Sequence, residues 1–377
     1  MLEMDRKYSS SRKKRVKIKY KNVAIALAVL LIIIVLIYSA CSAGNDEPKD
    51  DTPSDVTGNE QTPTVTNPVE EETPEVSLTD DPTKQSSYIF DFVNVTSADL
   101  GKGDLVLVNN NIKFLGTITE DDLVVVREMK NQAYSVKDYT VLVRPQAMDA
   151  LNTMLLDFYN ATGNDNIMVR SGHRTLEYQQ GLYDDELAAT GAVSSSLVAM
   201  PGYSEHHTGL AVDFTTYDGE YYTDFDGTGD YEWIMNNCWR YGFVNRYPAG
   251  KEALTFIDNE PWHFRYVGIP HAEIMKDYDF CLEEYISFIK NYTIDTSFLL
   301  KELDNGARYI IYYVPLTDSE STAIYIPLMP DGVTPYPYEI SGNNVDGFIV
   351  TVTLDEGTQS AGVQTPAAPD AEDAQTE

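Results

Sequence analysis

Apolar residues recur at helical spacing in Gln146–Tyr159, where Met148, Leu151, Met154, Leu155 and Phe158 share one face and Thr162-Gly163 ends the pattern. Two-residue alternation predicts strands over Asp104–Asn109, Tyr139–Arg144, Asn166–Ser171 and Gly209–Thr215; in the last, Leu210, Val212 and Phe214 oppose Ala211, Asp213 and Thr215. Leu176–Ala189 reads as a polar helix, Tyr231–Tyr241 as a helix closed by Gly242, and His271–Ile289 as a helix of mixed polarity. Pro261 ends any helix before the strand Trp262–Val267, and three further β segments follow at Arg308–Pro315, Thr322–Pro327 and Gly347–Leu354. The class expected is α+β, with a small β extension after the last helix.

One stretch is apolar without period. Val23–Ala40 is eighteen residues free of charge, and as a helix it spans roughly 27 Å, about the hydrocarbon thickness of a bilayer. Met1–Lys21 before it holds nine Lys/Arg and two acids. The positive-inside rule therefore places the N-terminus in the cytoplasm and the rest outside, making 23–41 a transmembrane signal-anchor after a basic segment, 1–22. Two other readings are a cleaved signal peptide and a lipobox at Cys41, although Tyr38 departs from the aliphatic residue of that motif.

Charge follows the same division. The 377 residues carry a net charge of −32, from 27 Lys+Arg against 59 Asp+Glu. Such an acidic chain argues against nucleic acid as a partner, because phosphates require a basic surface. Asn45–Ser86 has twelve acids, two lysines and few large apolar residues, so 42–87 is expected to be a disordered acidic Pro/Thr-rich linker. The tail 355–377, with six acids and no base, reads alike. Between them, 88–290 is expected to form the main domain and 291–354 the β extension. Cys238 and Cys281 fit either a disulfide or two buried thiols.

The candidate chemistry lies among five histidines, His173, His206, His207, His263 and His271. His206 enters the strand that carries Asp213, a charged residue that needs a partner such as a cation. His263 follows Glu260 by three residues. Two His and one carboxylate with an open fourth position suit a catalytic zinc, and a nearby carboxylate suits the proton acceptor. Taken alone, the same residues also fit a surface Asp with an incidental His, and a turn carboxylate beside a His packed under Trp262.

Ser204-Glu205-His206-His207-Thr208-Gly209-Leu210-Ala211-Val212-Asp213 resembles the S-x-H-x-x-G-x-A-x-D motif of VanY-type D-alanyl-D-alanine carboxypeptidases. Glu260-Pro261-Trp262-His263 resembles their E-x-W-H motif, and Ser171-Gly172-His173-Arg174-Thr175 is similar to their S-G-Y-R-S stretch. The likeness covers about 139–284. It implies the antiparallel-sheet zinc fold shared with the Hedgehog signalling domain, one Zn²⁺ on His206, Asp213 and His263, and Glu260 as general base. By the same resemblance, Arg174 binds substrate or transition-state oxygen, and Gln180 and Ser204 stand at substrate-side positions. His173 departs from the family Tyr and His207 from its Gln; His207 is expected to point away from the metal. His271 is expected to be a packing or hydrogen-bonding residue at a helix start.

The activity implied is removal of the terminal D-Ala from peptidoglycan stem peptides by a water activated by Zn²⁺ and Glu260. L,D-carboxypeptidase and peptidoglycan endopeptidase activity use the same motifs. A non-catalytic wall-binding or signalling module is the reading from another class; Glu260 and Arg174 beside a full ligand set weigh against it. Six tyrosines in the extension, Tyr309, Tyr312, Tyr313, Tyr325, Tyr336 and Tyr338, suggest either a sugar-stacking face or ordinary strand packing.

Overall fold

The computed structural model describes residues 84–356. Among these, no helix is long and apolar enough to cross a membrane, and the expected span at 23–41 lies outside them. The basic segment 1–22, most of the linker and most of the acidic tail also lie outside the described residues.

The helix expected over Gln146–Tyr159 runs from Pro145 to Thr162, with proline at its first position, where no backbone donor is lost, and Gly163 at φ 72° ending it. Its apolar stripe, Ala147, Met148, Leu151, Met154, Leu155 and Phe158, is fully buried against Val169, Val212, Phe214 and Phe264 of the main sheet. That sheet runs in the order Ser135–Val136, Ile167–Ser171, Ala211–Tyr217, Glu260–Tyr266, Phe243–Tyr247, with Tyr222–Asp224 pairing onto Ala211–Tyr217. The first pair is parallel and the others antiparallel, so the sheet is mixed where an antiparallel one was expected. Because side chains alternate along a strand, burying Val212 and Phe214 beneath the helix turns Asp213 to the opposite face.

Four expected elements differ. Of Tyr139–Arg144 only Leu142–Val143 is a strand, paired with Val124–Val125 apart from the main sheet. Tyr231–Tyr241 is a short helix, Glu232–Asn237, between 3₁₀ turns at Gly229–Tyr231 and Cys238–Tyr241; Asn237, at φ −126°, interrupts the helical path. His271–Ile289 is two helices, Ile269–Tyr278 and Leu282–Ile289, because Asp279 takes a left-handed φ of 54° and Cys281 restarts the helix in a capping box with Glu284. Asp104–Asn109 is not a strand. Residues 105–109 are buried, and their backbone is taken up by side chains: the Ser341 hydroxyl accepts from Leu105 N–H, while Arg265 donates to the carbonyls of Asp104 and Val106. Cys238 and Cys281 are both buried free thiols.

The β extension has all three expected strands and two more; four of the five, all but Thr322–Pro327, form an antiparallel sheet in the order Leu299–Glu302, Arg308–Pro315, Gly347–Asp355, Tyr338–Gly342. Alternation divides its two faces. Ile310, Tyr312, Phe348 and Val350 form one core with Ile324 and Ile326 of Thr322–Pro327, whereas Ile311, Tyr313 and Ile349 pack on the two helices of 269–289. Thr322–Pro327 pairs with Phe90–Val95. The strand at 90–95, placed with the 88–290 domain from sequence, thus belongs structurally with the extension. The tyrosines share no single face, since Tyr312 and Tyr313 are buried on opposite sides while Tyr325 and Tyr338 are exposed.

Candidate metal centre and active site

Antiparallel pairing sets Asp213 directly opposite His263, and Ser171 opposite Asp213 on its other side. His206 arrives from the 3₁₀ turn Glu205–Thr208, which Ser204 caps by accepting from His206 N–H and which Gly209, at φ 70°, closes. Gly172 permits the neighbouring loop to approach, since a Cβ there would lie 2.2 Å from the Leu142 carbonyl. The Gly172 carbonyl faces His206 Nδ1 at 2.6 Å, which fixes Nδ1 as the protonated nitrogen and frees Nε2.

Glu260 and His263 are three apart on one strand, and regular alternation would send them to opposite faces. The strand is irregular here: Asn245 pairs with Phe264, yet Tyr247 pairs with Glu260. The Asn245 amide spans the irregular stretch by donating to the carbonyls of Glu260, Pro261 and His263. Both side chains consequently reach the same site, with Glu260 Oε2 3.7 Å from His263 Nδ1.

Ligand atoms of His206, Asp213 and His263 all lie within 4.8 Å of one another, and the three residues are buried. His206 Nε2 is 3.2 Å from Asp213 Oδ2, and His263 Nδ1 is 3.0 Å from Asp213 Oδ1. Tetrahedral zinc with bonds of 2.0–2.2 Å sets its ligand atoms about 3.4 Å apart. The donor set, two imidazoles and one carboxylate, and its spacing both fit that ion.

Burial opposes ionisation of Asp213, but His206 and Arg174 outweigh it and hold its carboxyl well below the usual range. Burial pushes Glu260 up to about 8, with His263 opposing the rise and Asp213 adding to it. His206 is pushed down to about 4 by burial and by the Arg174 charge. For His263, burial acts downward, yet Asp213 and Glu205 on its two ring nitrogens raise it to about 9. Neighbouring groups are therefore driven in opposite directions, as in sites that handle protons.

Arg174 follows strand Ile167–Ser171 and donates to Asp213 Oδ2 at 2.5 Å, Ser171 Oγ at 3.0 Å and Gln179 Oε1 at 3.4 Å. Its remaining N–H groups are available to an oxygen in the cleft that it lines. Ser204, buried, lines the same cleft. Gln180 does not reach it. It lies exposed on helix Leu176–Thr190 and donates to Asp184, whereas Gln179, one residue and 100° earlier, is fully buried, lines the cleft and donates to the Ala199 carbonyl. His207 turns away as expected, with Nε2 accepting from Gly202 N–H and Nδ1 facing the Arg174 carbonyl. His271 is likewise a hydrogen-bonding residue, between the Tyr285 and Thr351 hydroxyls.

Glu205 is a site residue that the sequence reading passed over. Its carboxylate, 1% exposed, lies 3.4 Å from His263 Nε2 and is bonded by Arg246 and Arg265. The signal available was Arg265 itself, a charge in a strand flanked by Phe264 and Tyr266.

The cleft that ends at these residues has a volume of about 500 Å³, room for a short peptide. Lys137 and Arg170 line it, as do Asp185 and Glu186 of helix Leu176–Thr190.

The family described as VanY, D-alanyl-D-alanine carboxypeptidase, matches residues 140–269. A D-alanyl-D-alanine carboxypeptidase of Enterococcus faecium is 35% identical over 261 residues, 68% of this chain and 78% of that one. The bifunctional D-Ala-D-Ala dipeptidase and carboxypeptidase VanXYC of Enterococcus gallinarum is 34% identical over 158 residues, 40% of this chain and 81% of that one. Among solved structures, the vancomycin resistance D,D-dipeptidase VanXYg in complex with a D-Ala-D-Ala phosphinate analogue is similar at a TM-score of 0.61 and 34% identity, covering 70% of this chain and 99% of that one. With the motif residues gathered in one buried cluster and a relative matched over most of its length, the chain belongs to the VanY-type D-alanyl-D-alanine carboxypeptidase family.

Proposed function

We propose that the protein is a membrane-anchored zinc D-alanyl-D-alanine carboxypeptidase that removes the C-terminal D-Ala from peptidoglycan stem peptides. The observation that carries this reading is the convergence of His206, Asp213 and His263 at the end of a peptide-sized cleft, with Glu260 and Arg174 beside them. Held by those three ligands, Zn²⁺ supplies Lewis acidity toward a carbonyl oxygen, acidifies a water and favours the ionised form of a neighbouring carboxyl.

Glu260 takes the proton from the attacking water and returns it to the leaving D-Ala amine. Arg174, anchored by Ser171 and Gln179, offers its free N–H groups to the negative oxygen that develops at the scissile carbonyl or to the substrate carboxylate. Asp213 keeps the guanidinium in place through its second oxygen. Ser204 lines the substrate side of the cleft.

The test is release of D-Ala from a muramyl pentapeptide by the purified protein, with and without EDTA and with zinc restored. Zinc-dependent release supports the reading, and no release under any metal condition removes it. Mass spectrometry of tetrapeptide, cross-linked stems and free D-Ala-D-Ala after digestion distinguishes L,D-carboxypeptidase, endopeptidase and dipeptidase activity. Anchoring through 23–41, with the catalytic part facing the wall, rests on the basic cluster before an uncharged span. Protease protection in spheroplasts tests it, since external protease should digest the domain and spare the N-terminus.

A further inference from the structure

Glu205 divides its two oxygens. Oε1 accepts from Arg246 Nε and from Arg265 Nη1, both at 2.8 Å, while Oε2 faces His263 Nε2 at 3.4 Å. Arg246 closes a second, bidentate pair with Glu283 at 2.7 and 2.8 Å, and Glu283 also accepts from the Asn109 amide. Arg265 places its other N–H groups on the carbonyls of Asp104 and Val106 and on that of Tyr266. Glu205, Arg246 and Arg265 are each 1% exposed or less, so the carboxylate has no freedom to swing.

We propose that Glu205 is a positioning residue for the metal centre, accepting the Nε2 proton of His263 so that Nδ1 presents its lone pair to the ion. This rests on the zinc reading of the site given above. An imidazole has two nitrogens, and which of them binds a metal is set by what the other donates to. The two arginines occupy Oε1 and so reserve Oε2 for His263. The segment 104–106 and helix Leu282–Ile289 hold those arginines from behind, and the orientation of His263 is thereby fixed by parts of the chain outside the motifs.

Two variants of the full-length protein test this, Glu205→Gln and Glu205→Asp. Aspartate keeps the charge that balances the two arginines but withdraws the carboxylate by one methylene from Nε2. Zinc dissociation constants come from competition with a chromophoric chelator, and the Co²⁺-loaded proteins are compared by visible absorption. We expect zinc binding ~10–100-fold weaker in both variants, with altered Co²⁺ bands and an unchanged far-UV circular dichroism spectrum. A folded Glu205→Asp protein with zinc affinity within twofold of wild type and the same Co²⁺ spectrum overturns the proposal; should Glu205→Gln not fold, Glu205→Asp alone decides. Failure of the wild-type protein to bind zinc would instead overturn the zinc reading itself.

Discussion

Asp213 and His263 face each other across adjacent antiparallel strands, Oδ1 to Nδ1 at 3.0 Å, while the other oxygen of the same carboxylate accepts from Arg174. One side chain thus touches a histidine of the candidate metal cluster and an arginine that lines the cleft. Asp213→Ala should weaken zinc binding by more than ~100-fold, beyond the effect of losing an outer hydrogen-bond partner. It should also free Arg174, so activity should not return at saturating zinc. Recovery of wild-type turnover in excess metal would count against this double role.

Glu260 reaches the cluster of His206, Asp213 and His263 without being one of the three residues that could hold the metal. Glu260→Ala should therefore retain zinc at one ion per chain by elemental analysis, while kcat for D-Ala release falls by ~10²–10⁴-fold. A variant that keeps both zinc and turnover takes Glu260 out of the mechanism.

Adjacent glutamines should behave oppositely. Gln180→Ala removes an exposed contact to Asp184 and should change neither stability nor kcat/KM appreciably. Gln179→Ala removes an anchor of Arg174 and strands the Ala199 carbonyl, at a stability cost of ~1–3 kcal/mol and with reduced kcat/KM. Steady-state kinetics and urea melts on the pair decide it; equal effects would contradict the placement of the helix.

His271 joins helix Ile269–Tyr278 to the extension, with Nδ1 2.6 Å from the Tyr285 hydroxyl and Nε2 2.9 Å from that of Thr351. Burial pushes its pKa down to about 3, from an ordinary 6.5. As pH falls below 6.5 the unfolded chain takes up a proton that the folded chain refuses, so stability should drop toward pH 3 with a slope approaching ~1.4 kcal/mol per unit from this group. Above pH 6.5 the contribution is flat. Carboxylates titrate in the acid part of the same range, so the measurement is the difference between wild type and His271→Asn in urea unfolding between pH 7.5 and 5. Parallel curves would refute it.

Phe158, fully buried, stacks on Tyr231 with ring centroids 5.8 Å apart. Phe158→Ala should cost ~3–5 kcal/mol, read as a lower urea midpoint. A loss under 1 kcal/mol would mean that the helix can collapse onto the sheet.

The helix at 145–162 and the three longest strands of the extension were legible because each carries its own period in adjacent residues. The candidate ligand set was legible through motif resemblance, which names residues but not their surroundings. Gln180 shows the limit: on a helix, a shift of one position rotates a side chain by 100°, and only the docked helix reveals that Gln179 faces inward. Glu205 occupies an unspecified position of the motif, and its importance arises from Arg246 and Arg265, brought to it by strand pairing. The Asp104–Asn109 alternation misled because burial on all sides produces the same apolar letters as a ladder. The pairing of Phe90–Val95 with Thr322–Pro327 joins segments separated by most of the domain, and no local signal encodes such a partner.

That last pairing has a mechanical meaning. A pull entering the described chain at residue 84 passes the 3₁₀ turn Gln85–Ser87 and Tyr88 and then meets the strand Phe90–Val95, whose six paired positions on Thr322–Pro327 lie side by side along the strand axis. Tension along that axis loads the ladder in shear, with its rungs resisting together. The sheet that carries Asp213 and His263 lies further along the chain, so tension entering at residue 84 meets this ladder before it meets the strands of the candidate metal cluster.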